Sequence, residues 1–553
     1  MNLTGAEIIV QLLERQGISI LAGIPGGANL PLYNALHKSK IHHVLTRHEQ
    51  AAGFIAQGMA RSSGTTAVCF ATSGPGATNL LTAIADAKLD SIPVVAITGQ
   101  VASPLIGTDA FQEIDTYGMT IPITKHNFLV RSVEELFTVI PEAFRIAASG
   151  RPGPVLIDVP KDIQNQRYEF SEWPEPGKAI EVNIDNSKEI DKAIEMLAAS
   201  KKPVLYAGGG IIHSNASEEL LAFAHKNSIP VTPTLMALGA ISHDDPLYLG
   251  MLGMHGSQST NTILNDADLV LAFGVRFDDR ATGKVSGFCP NAKIIHADID
   301  SSEFDKIKKV DLCIPGNIKD ILSKLSEKST HNERRDWINT VSGLKKQYPF
   351  PKMQPKDLLH PFNIIRTVDS IIAPDSIITT DVGQHQMWVA QYYPFKKPRT
   401  LLTSGGLGTM GFGLPTALGA AFANPSKRIV CFSGDGSILM NIQELATLAD
   451  YNLDVTVVLF NNGHLGLVRQ QQELFYTRNY IASKFITNPD FKTIANGFGI
   501  RSFDLANETD IRGVLSRALT EKGPSFVNVP IDPNLNVLPM VPPGGSNTEA
   551  IGE

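Results

Sequence analysis

The stretch IVCFSGDGSILMNIQELATLADYNLDVTVVLFNNG, residues 429–463, predicts a β-strand, a glycine turn, a helix and a second β-strand. Short apolar runs rich in Val, Ile and Phe begin and end it, which is typical of strands buried on both faces of a parallel sheet. Asp435 lies between Gly434 and Gly436 where the first strand ends. These glycines allow a tight turn and let a bulky anion approach the N-terminus of the next helix.

A second copy of this plan lies near the N-terminus, in VCFATSGPGATNLLTAIADAKLDSIPVVAITG, residues 68–99. Both copies read as strand, SGxG turn, helix and strand, so we predict that the two outer domains are related. The middle position of the turn is Pro75 in one copy and Asp435 in the other. The carboxylate is therefore not required by the fold. Because ligands of open parallel sheets bind beyond the carboxyl ends of strands, we predict that Asp435 binds a ligand.

Short apolar runs alternate with longer helical patterns along most of the chain, which predicts repeated βαβ units and an α/β fold. Two polar, proline-rich stretches, 164–187 and 326–361, are typical of linkers. We therefore predict three doubly wound parallel-sheet domains and a tail: an N-terminal domain over 1–165, a central domain over 188–325, a C-terminal domain over 360–535 and a mobile tail over 536–553.

The composition argues against several classes of protein. The 553 residues carry a net charge of −7 and no Lys/Arg tract, so we expect no binding to nucleic acid or to an anionic membrane surface. No run approaches the ~20 apolar residues of a membrane helix, and the N-terminus lacks the pattern of a signal or transit peptide. The four cysteines are far apart, which indicates neither a disulfide framework nor a zinc site. We expect a cytoplasmic protein.

The second strand of the opening stretch ends at Asn461 and Asn462, one helix beyond Asp435. A hard divalent cation prefers oxygen ligands in a near-octahedral shell, commonly completed by phosphates and water. Either turn alone is more often a plain polar turn. Together, GDG and NN at this spacing resemble the fingerprint of thiamine-diphosphate-dependent decarboxylases and carboligases. The resemblance implies that Asp435, Asn462 and the main-chain oxygen of His464 hold Mg²⁺ against the diphosphate.

A resemblance to acetohydroxyacid synthase catalytic subunits, also called acetolactate synthase large subunits, runs nearly from end to end. It is carried by a series of motifs: IPGGANLPLYNAL (24–36), GTDAFQEID (107–115), SGRPGPVLIDVPKD (149–162), LGMLGMHG (249–256), GVRFDDRATGK (274–284), TDVGQHQMW (380–388) and TSGGLGTMGFGLP (403–415). The implied architecture is that of pyruvate oxidase and decarboxylase, with pyrimidine-binding, FAD-binding and diphosphate-binding domains in that order. The implied activity is a transferase that decarboxylates pyruvate on thiamine diphosphate and joins the two-carbon unit to pyruvate or 2-ketobutyrate. That is the first common step toward valine, leucine and isoleucine.

The resemblance also implies roles for individual residues. Glu49 in RHEQAA is implied to activate the aminopyrimidine ring of the cofactor, although taken alone it is more often a first-turn acid that complements the helix dipole. The implied thiamine diphosphate contacts are Gly27, Gln384, His385, Met410 as an apolar wedge that bends the cofactor, Gly434, Asp435, Gly436, Ser437, Asn462 and His464. The second keto acid is implied to meet Phe111, Gln112 and Lys161. The implied FAD contacts are Arg151, Gly209, His255, Arg276, Asp298 and Asn317.

The segment after NN departs from the family pattern. The family places a Trp four residues after a Met, where it favours 2-ketobutyrate as the acceptor, whereas this chain has Leu467 and Gln471 at those positions. We therefore predict a weak or absent preference for 2-ketobutyrate over pyruvate.

The resemblance further implies a homodimer or a dimer of dimers, because in this family the cofactor lies between domains of two subunits. It also implies a small regulatory subunit. Three rival interpretations remain at this stage: pyruvate oxidase, which shares the fold and FAD, glyoxylate carboligase, whose family lacks the activating glutamate, and a catalytically silent nucleotide-binding or scaffold protein whose glycine turns are structural.

Overall fold

The computed structural model describes residues 1–181, 184–350, 352–354 and 356–552, and its strands form three parallel sheets and one short antiparallel pair. The α/β class and the three doubly wound sheets predicted from the sequence are confirmed. Each parallel sheet takes its strands from one predicted domain, whereas the domain boundaries and the mobility of the tail stay predictions. Among the helices of the described ranges, none combines the length and apolar character needed to span a bilayer.

The N-terminal domain is built around a six-stranded parallel sheet. Its strands are β1 (Asn2–Thr4), β2 (Ile20–Gly23), β3 (His42–Leu45), β4 (Ala67–Ala71), β5 (Val94–Gln100), β6 (His126–Leu129), β7 (Val155–Pro160) and β8 (Arg167–Glu169). Its helices are α1 (Gly5–Arg15), α2 (Leu30–Leu36), α3 (Glu49–Ser63), α4 (Pro75–Leu89), α5 (Thr116–Thr120), α6 (Leu136–Ala148) and α7 (Lys161–Asn165). The strands β1 and β8 form the separate antiparallel pair.

The central domain contains a five-stranded parallel sheet. Its strands are β9 (Pro203–Ala207), β10 (Val231–Pro233), β11 (Leu269–Phe273), β12 (Lys293–Asp298) and β13 (Leu312–Pro315). Its helices are α8 (Ser187–Ala199), α9 (Gly209–His213), α10 (Ser217–Asn227), α11 (Gln258–Asp266), α12 (Asp279–Thr282), α13 (Ile318–Lys328) and α14 (Arg335–Gln347). The last of these packs on the sheet through buried Trp337, whose indole N–H donates to the carbonyl oxygen of Pro203.

The C-terminal domain contains the third sheet, again with six parallel strands. Its strands are β14 (Ile377–Thr380), β15 (Leu401–Leu402), β16 (Ile429–Gly434), β17 (Val455–Asn461), β18 (Arg501–Asp504) and β19 (Ser525–Pro530). Its helices are α15 (Pro361–Ile371), α16 (Gln384–Tyr392), α17 (Gly413–Ala423), α18 (Asp435–Ile438), α19 (Glu444–Asp450), α20 (Gly466–Phe475), α21 (Phe491–Gly497) and α22 (Ile511–Thr520). The opening stretch of sequence thus forms β16 to β17, as predicted.

The two outer sheets have the same strand order. The N-terminal order is β3-β2-β4-β5-β7-β6 and the C-terminal order is β15-β14-β16-β17-β19-β18, so strands that correspond in sequence occupy corresponding places. This is the topology that the internal repeat predicts. In each parallel sheet the first and third strands along the chain (β2 and β4, β9 and β11, β14 and β16) are neighbours, and the chain leaves them in opposite directions. Such a switch point opens a crevice at the carboxyl ends of the strands, where ligands of this fold class bind.

Helices α3 and α17 join the outer domains at a close crossing. A Cβ atom on Gly58 would overlap the carbonyl oxygen of Thr416, and one on Gly419 would overlap that of Ile55. A single buried hydrophobic cluster passes through this crossing and includes strands of both outer sheets. The missing side chains of the two glycines therefore allow the outer domains to share one core.

We expect Gly58→Ala to lower the free energy of unfolding by about 1–3 kcal/mol, because the added methyl group forces α3 and α17 apart. The matched change is Gly343→Ala in α14, where a Cβ atom would meet nothing within 4 Å. Since Ala is the better helix former, that variant should be unchanged or up to ~1 kcal/mol more stable. Urea and thermal unfolding measure both variants, and equal midpoints would contradict the close crossing.

Candidate active site

The switch point of the C-terminal sheet lies between β14 and β16. Beyond the end of β14 the chain turns through Gly383 into α16, and beyond β16 it enters α18 at Asp435. The pairing of Gly434 with Phe460 places the end of β17 next to the same turn. Three loops that carry predicted site residues therefore meet at one edge of the sheet.

Asp435 ties two of these loops together. Its side chain is buried, and its Oδ2 accepts hydrogen bonds from the backbone N–H groups of Asn462, at 3.1 Å, and Gly463. Its Oδ1 accepts from the N–H of Gly436 at 2.8 Å. Burial raises the pKa of Asp435 to about 6, against the opposing effect of these N–H groups. The carboxylate is held in place before any ligand arrives.

Asn462 and His464 complete the oxygen-rich turn. Asn462 Nδ2 donates to Oε1 of Gln384 at 3.1 Å, and its Oδ1 accepts from the backbone N–H of His464 at 3.0 Å. The amide orientation is thereby fixed, while the Oδ1 keeps a second lone pair. A carboxylate, an amide oxygen and a main-chain carbonyl are the hard donors that Mg²⁺ takes. The described residues hold no cluster of three or more His, Cys, Asp or Glu side chains that would suit a softer metal.

His385 lies against the same turn. A Cβ atom on Gly434 would come within 2.8 Å of its Nδ1, so the glycine is needed for this approach. Burial lowers the pKa of His385 to about 3, and the ring is neutral. Its Nε2 is buried without a hydrogen-bond partner in the described part of the chain. Because buried polar atoms are normally paired, this atom is a place where a bound group fits.

The side chain of Gln384 makes its hydrogen bonds within the chain. Its Nε2 donates to Oε1 of Gln470, at 3.0 Å, and to the carbonyl oxygen of Leu535, at 2.9 Å, while its Oε1 accepts from Asn462. The side chain therefore fixes the Asn462 amide. Only its backbone, at the start of α16, is left to meet a diphosphate.

Met410 lies half-buried in the loop between β15 and α17. The N–H of Gly411 donates to Oδ1 of Asp381 at 2.8 Å, and the N–H of Gly413 donates to its Oδ2 at 3.3 Å. Asp381 is buried, and burial raises its pKa to about 6. This carboxylate holds the backbone directly after Met410.

Glu49 is the first residue of α3 and is half-buried. Its Oε2 accepts a hydrogen bond from Nδ2 of Asn79 at 2.9 Å, and His48 caps the helix by accepting from the N–H of Gln50. Gly76 leaves room beside it, since a Cβ atom there would lie 3.4 Å from Oε1 of Glu49. Among the described residues, no hydrogen bond or ion pair joins Glu49 to the Asp435 turn.

The loop after β2 is shaped by close approach to its neighbour at the N-terminal switch point. A Cβ atom on Gly26 would lie 2.6 Å from the side chain of Thr72, whereas one on Gly27 would meet nothing within 4 Å. Gly27 is exposed. Its backbone is therefore open to a large group, as the predicted cofactor contact requires.

Of the five predicted substrate residues, Phe111 and Lys161 are exposed and the others are half-buried. Phe111 is 88% exposed, and Gln112 has a left-handed backbone with φ of 61°. Lys161 is exposed at the start of α7, while Leu467 and Gln471 are half-buried on α20. Phe111 in particular has little packing within its own chain.

The predicted FAD contacts gather at the carboxyl edge of the central sheet. Gly208 packs at the switch point, where a Cβ atom would overlap the carbonyl oxygen of Gly274, and Gly209 begins α9. The strand register places Asp298 and Asn317, which caps α13, at the same edge. Arg276 follows β11 on this edge.

Two further residues, Arg151 and His255, are predicted to contact FAD. Arg151 Nη1 lies 2.6 Å from Oε1 of Glu303 and 3.2 Å from Oδ2 of Asp300, so its guanidinium bridges the N-terminal and central domains. His255 is buried, its Nδ1 has no partner in the described residues, and burial lowers its pKa to about 4. An orphaned imidazole nitrogen again suits a bound polar group.

Known proteins match this chain along its whole length. Three domain models match in order: thiamine pyrophosphate enzyme, N-terminal TPP binding domain, at residues 3–119, its central domain at 190–325 and its C-terminal TPP binding domain at 381–529. The acetolactate synthase isozyme 1 large subunit of Escherichia coli (strain K12) is 54% identical over 551 residues, which cover 100% of this chain and 98% of that protein. The chain belongs to the acetolactate synthase large-subunit family. The isozyme 2 large subunit of the same organism is 45% identical over 99% of both chains, and the Corynebacterium glutamicum large subunit is 46% identical over 99% of this chain and 90% of its own.

Sequence reasoning missed several residues of the candidate site. Asp381 carried a usable signal, because it directly follows β14 and so stands at the switch point. Gln470 carried no signal in the sequence, since it lies in a run of three glutamines on α20. Asn79 lies inside α4, where a polar residue gives no hint of a partner 30 positions away.

We expect Asp435→Asn to weaken Mg²⁺-dependent binding of thiamine diphosphate by about 100-fold, because a charged oxygen ligand is lost. The matched variant is Asp454→Asn, which removes a carboxylate at the opposite end of β17, where it accepts from the N–H of Gly523 at 2.6 Å. That change should leave cofactor affinity unaltered. Calorimetric titration of the cofactor with and without Mg²⁺ measures both, and equal affinities for the two variants would refute the metal assignment.

Proposed function

We propose that this chain is the catalytic subunit of an acetolactate synthase that uses thiamine diphosphate and Mg²⁺. The proposal rests on one observation: the buried Asp435 holds the Asn462 loop at a switch point, in a chain that matches acetolactate synthase large subunits along its whole length. The substrates would be two molecules of pyruvate, or pyruvate and 2-ketobutyrate. The products would be 2-acetolactate and 2-aceto-2-hydroxybutyrate.

When bound, thiamine diphosphate supplies a nucleophilic carbon and a sink for the electrons released by decarboxylation. The chain would hold it through a metal bound by Asp435, Asn462 and the carbonyl oxygen of His464. The neutral ring of His385 and the N–H groups that begin α18 would face the diphosphate. Met410 would press on the cofactor from a loop whose next residue is anchored to Asp381.

Glu49 would exchange a proton with the aminopyrimidine ring. Its carboxylate is oriented by Asn79 and lies at the N-terminus of α3, so the side chain is fixed and not free in solvent. A carboxyl group positioned in this way can act as an acid and as a base in successive steps. Glu49 also distinguishes this site from glyoxylate carboligase.

The second keto acid would be received by Phe111, Gln112 and Lys161 of the N-terminal domain, facing Leu467 and Gln471 on α20. The lysine would pair with the carboxylate of the substrate, and the phenylalanine would exclude water from the reacting carbon. Both residues are exposed in the single chain. We infer that another surface covers them in the working enzyme.

FAD would bind along the carboxyl edge of the central sheet, at Arg151, Gly209, His255, Arg276, Asp298 and Asn317. The glycine turn after β9 leads into the N-terminus of α9 at the switch point of the central sheet, and the Nδ1 of His255 lacks a partner in the described residues. The net reaction needs no redox change, so we assign the flavin a structural role. Pyruvate oxidase, the nearest rival, would reduce its flavin with pyruvate under anaerobic conditions.

We further propose that two copies of the chain build each site, as a homodimer or a dimer of dimers in the cytoplasm. Support comes from the exposure of Phe111, and from the fact that no hydrogen bond or ion pair among the described residues joins Glu49 to the Asp435 turn. A small regulatory subunit is a further expected partner, because the relatives are named large subunits. A silent scaffold protein would bind no thiamine diphosphate and release no CO₂ from pyruvate.

We expect Glu49→Gln to lower acetolactate formation by at least about 100-fold, in assays that supply pyruvate, thiamine diphosphate, Mg²⁺ and FAD. The matched variant is Glu218→Gln, which removes an exposed first-turn acid from α10. If Glu49 only complemented the helix dipole, both variants would lose a similar small amount of stability, ~0.3–1 kcal/mol, and keep turnover. Retained activity in Glu49→Gln would therefore exclude the catalytic role.

We expect the wild-type enzyme to give comparable amounts of both products when pyruvate and 2-ketobutyrate compete at equal concentration. Gln471→Trp should raise the preference for 2-ketobutyrate by about tenfold, because an apolar ring at this position contacts the extra methyl group. Val468→Trp places the same ring on an exposed position of α20 and should change nothing. A strong 2-ketobutyrate bias in the wild type, measured by product chromatography, would contradict the prediction.

A further inference from the structure

A group of buried charges joins the N-terminal domain to the loop that carries Met410. Arg61 on α3 lies between Asp86 on α4 and Asp90 at its end, and all three side chains are at most 4% exposed. Nη2 of Arg61 is 3.2 Å from Oδ1 of Asp86 and 2.8 Å from Oδ2 of Asp90. Two carboxylates thus share one guanidinium away from water, which is costly unless their other lone pairs are satisfied.

Asp90 satisfies its lone pairs with the backbone of the C-terminal domain. Its Oδ2 accepts from the N–H of Gly405 at 3.0 Å, and its Oδ1 accepts from the N–H of Gly406 at 2.7 Å. Arg61 adds a third link by donating to the carbonyl oxygen of Thr403 at 3.0 Å. The first half of the loop is therefore held by the other outer domain.

Asp86 holds the second half. Its Oδ2 accepts from the hydroxyl groups of Ser404 and Thr409, the latter at 2.9 Å, and the N–H of Thr409 donates to Oγ of Ser404 at 2.9 Å. Burial, with the nearby charge of Asp90, raises the pKa of Asp86. Thr409 is the residue before Met410.

The other side of Met410 is fixed as well. Gly411 donates to Asp381, and Arg61 stacks over the ring of Phe412 at 5.0 Å from its centroid. Met410 is thus bracketed by two anchored neighbours. The same loop abuts the central domain, since a Cβ atom on Gly406 would lie 3.2 Å from Nη2 of Arg276.

We propose that Asp86 and Asp90 are positioning residues for Met410. They hold the 403–409 loop so that the thioether side chain of Met410 keeps one position against the cofactor. The proposal rests on the proposed function, because it takes Met410 to contact thiamine diphosphate. The competing interpretation is that the charges only stabilise the contact between domains. The two interpretations predict different effects of a lost hydrogen bond: a purely stabilising role predicts a lower Tm only, whereas a positioning role predicts a lower kcat as well.

Thr409→Val is the test variant, because it removes the link to Asp86 and keeps the side-chain shape. Thr456→Val is its matched control: Thr456 is fully buried at the far end of β17, and its hydroxyl donates to the carbonyl oxygen of Ala518 at 3.0 Å. Both variants should lower Tm, since Thr409→Val loses the bond to Asp86 and Thr456→Val loses the bonds to Ala518 and Ser525. Only Thr409→Val should lower kcat, by about tenfold, with KM for pyruvate unchanged.

Two readouts do not depend on turnover. In Thr409→Val, the near-ultraviolet circular dichroism of bound thiamine diphosphate should weaken, because the ring is less uniformly oriented. In the apoprotein, amide hydrogen exchange over 404–411 should become faster, while the same segment in Thr456→Val should match the wild type. Identical spectra, exchange and kcat in the two variants would overturn the proposal.

A double-mutant cycle uses the other partner. Asp86→Asn should lower kcat, and Thr409→Val should add little to that loss, because the Thr409 hydroxyl acts through its hydrogen bond to Asp86. Additive losses would overturn the coupling. If the wild-type enzyme bound no thiamine diphosphate, the proposed function would fail; if it were active and Thr409→Val resembled Thr456→Val, only the positioning role would fail.

Discussion

The order of strands in the parallel sheets is the constraint on which the candidate site depends. In the C-terminal sheet, β14 and β16 are neighbours whose chains leave in opposite directions, and this opens a crevice at their carboxyl ends. Asp435 stands at that crevice and accepts hydrogen bonds from the loop after β17. The pairing of β16 with β17 brings Asn462 beside Asp435, and without it the oxygens of these two residues would have no common ligand. The central and N-terminal sheets repeat the device, with Gly208 and Gly26 at their own switch points.

Buried carboxylates hold the loops around the crevice. Asp435, Asp381 and Asp90 each accept from backbone N–H groups of irregular segments, so that each loop has its hydrogen bonds satisfied by a side chain. Burial raises the pKa of Asp435 and of Asp381 to about 6, which records the cost of keeping charge away from water. A site assembled in this way is rigid before its ligands bind, which favours accurate placement of reacting groups.

The sequence predicted the α/β class, the paired outer sheets and the meeting of the Asp435 and Asn462 turns, because these follow from local apolar runs and from which strands are consecutive. It did not predict Asp86 or Asp90 as loop anchors, since Asp86 meets Ser404 across 318 positions of sequence and no periodicity reports such a pair. Gln384 was correctly placed at a strand end, but its carboxamide is taken up by Gln470 and Leu535. Side-chain partners of this kind depend on tertiary packing, which hydrophobic patterns do not encode.

The shared core at the α3–α17 crossing also affects how the protein folds during its synthesis. During synthesis the N-terminal domain emerges first. At that stage the small-residue face of α3 has not yet met α17, which ends at Ala423, and Arg61 has not yet formed its hydrogen bond to the carbonyl oxygen of Thr403. Until the ribosome has delivered that helix, the earlier domain carries an unmatched apolar stripe and a poorly compensated ion cluster. At this stage the nascent chain exposes apolar surface that favours aggregation, and chaperones that cover such surface would act here.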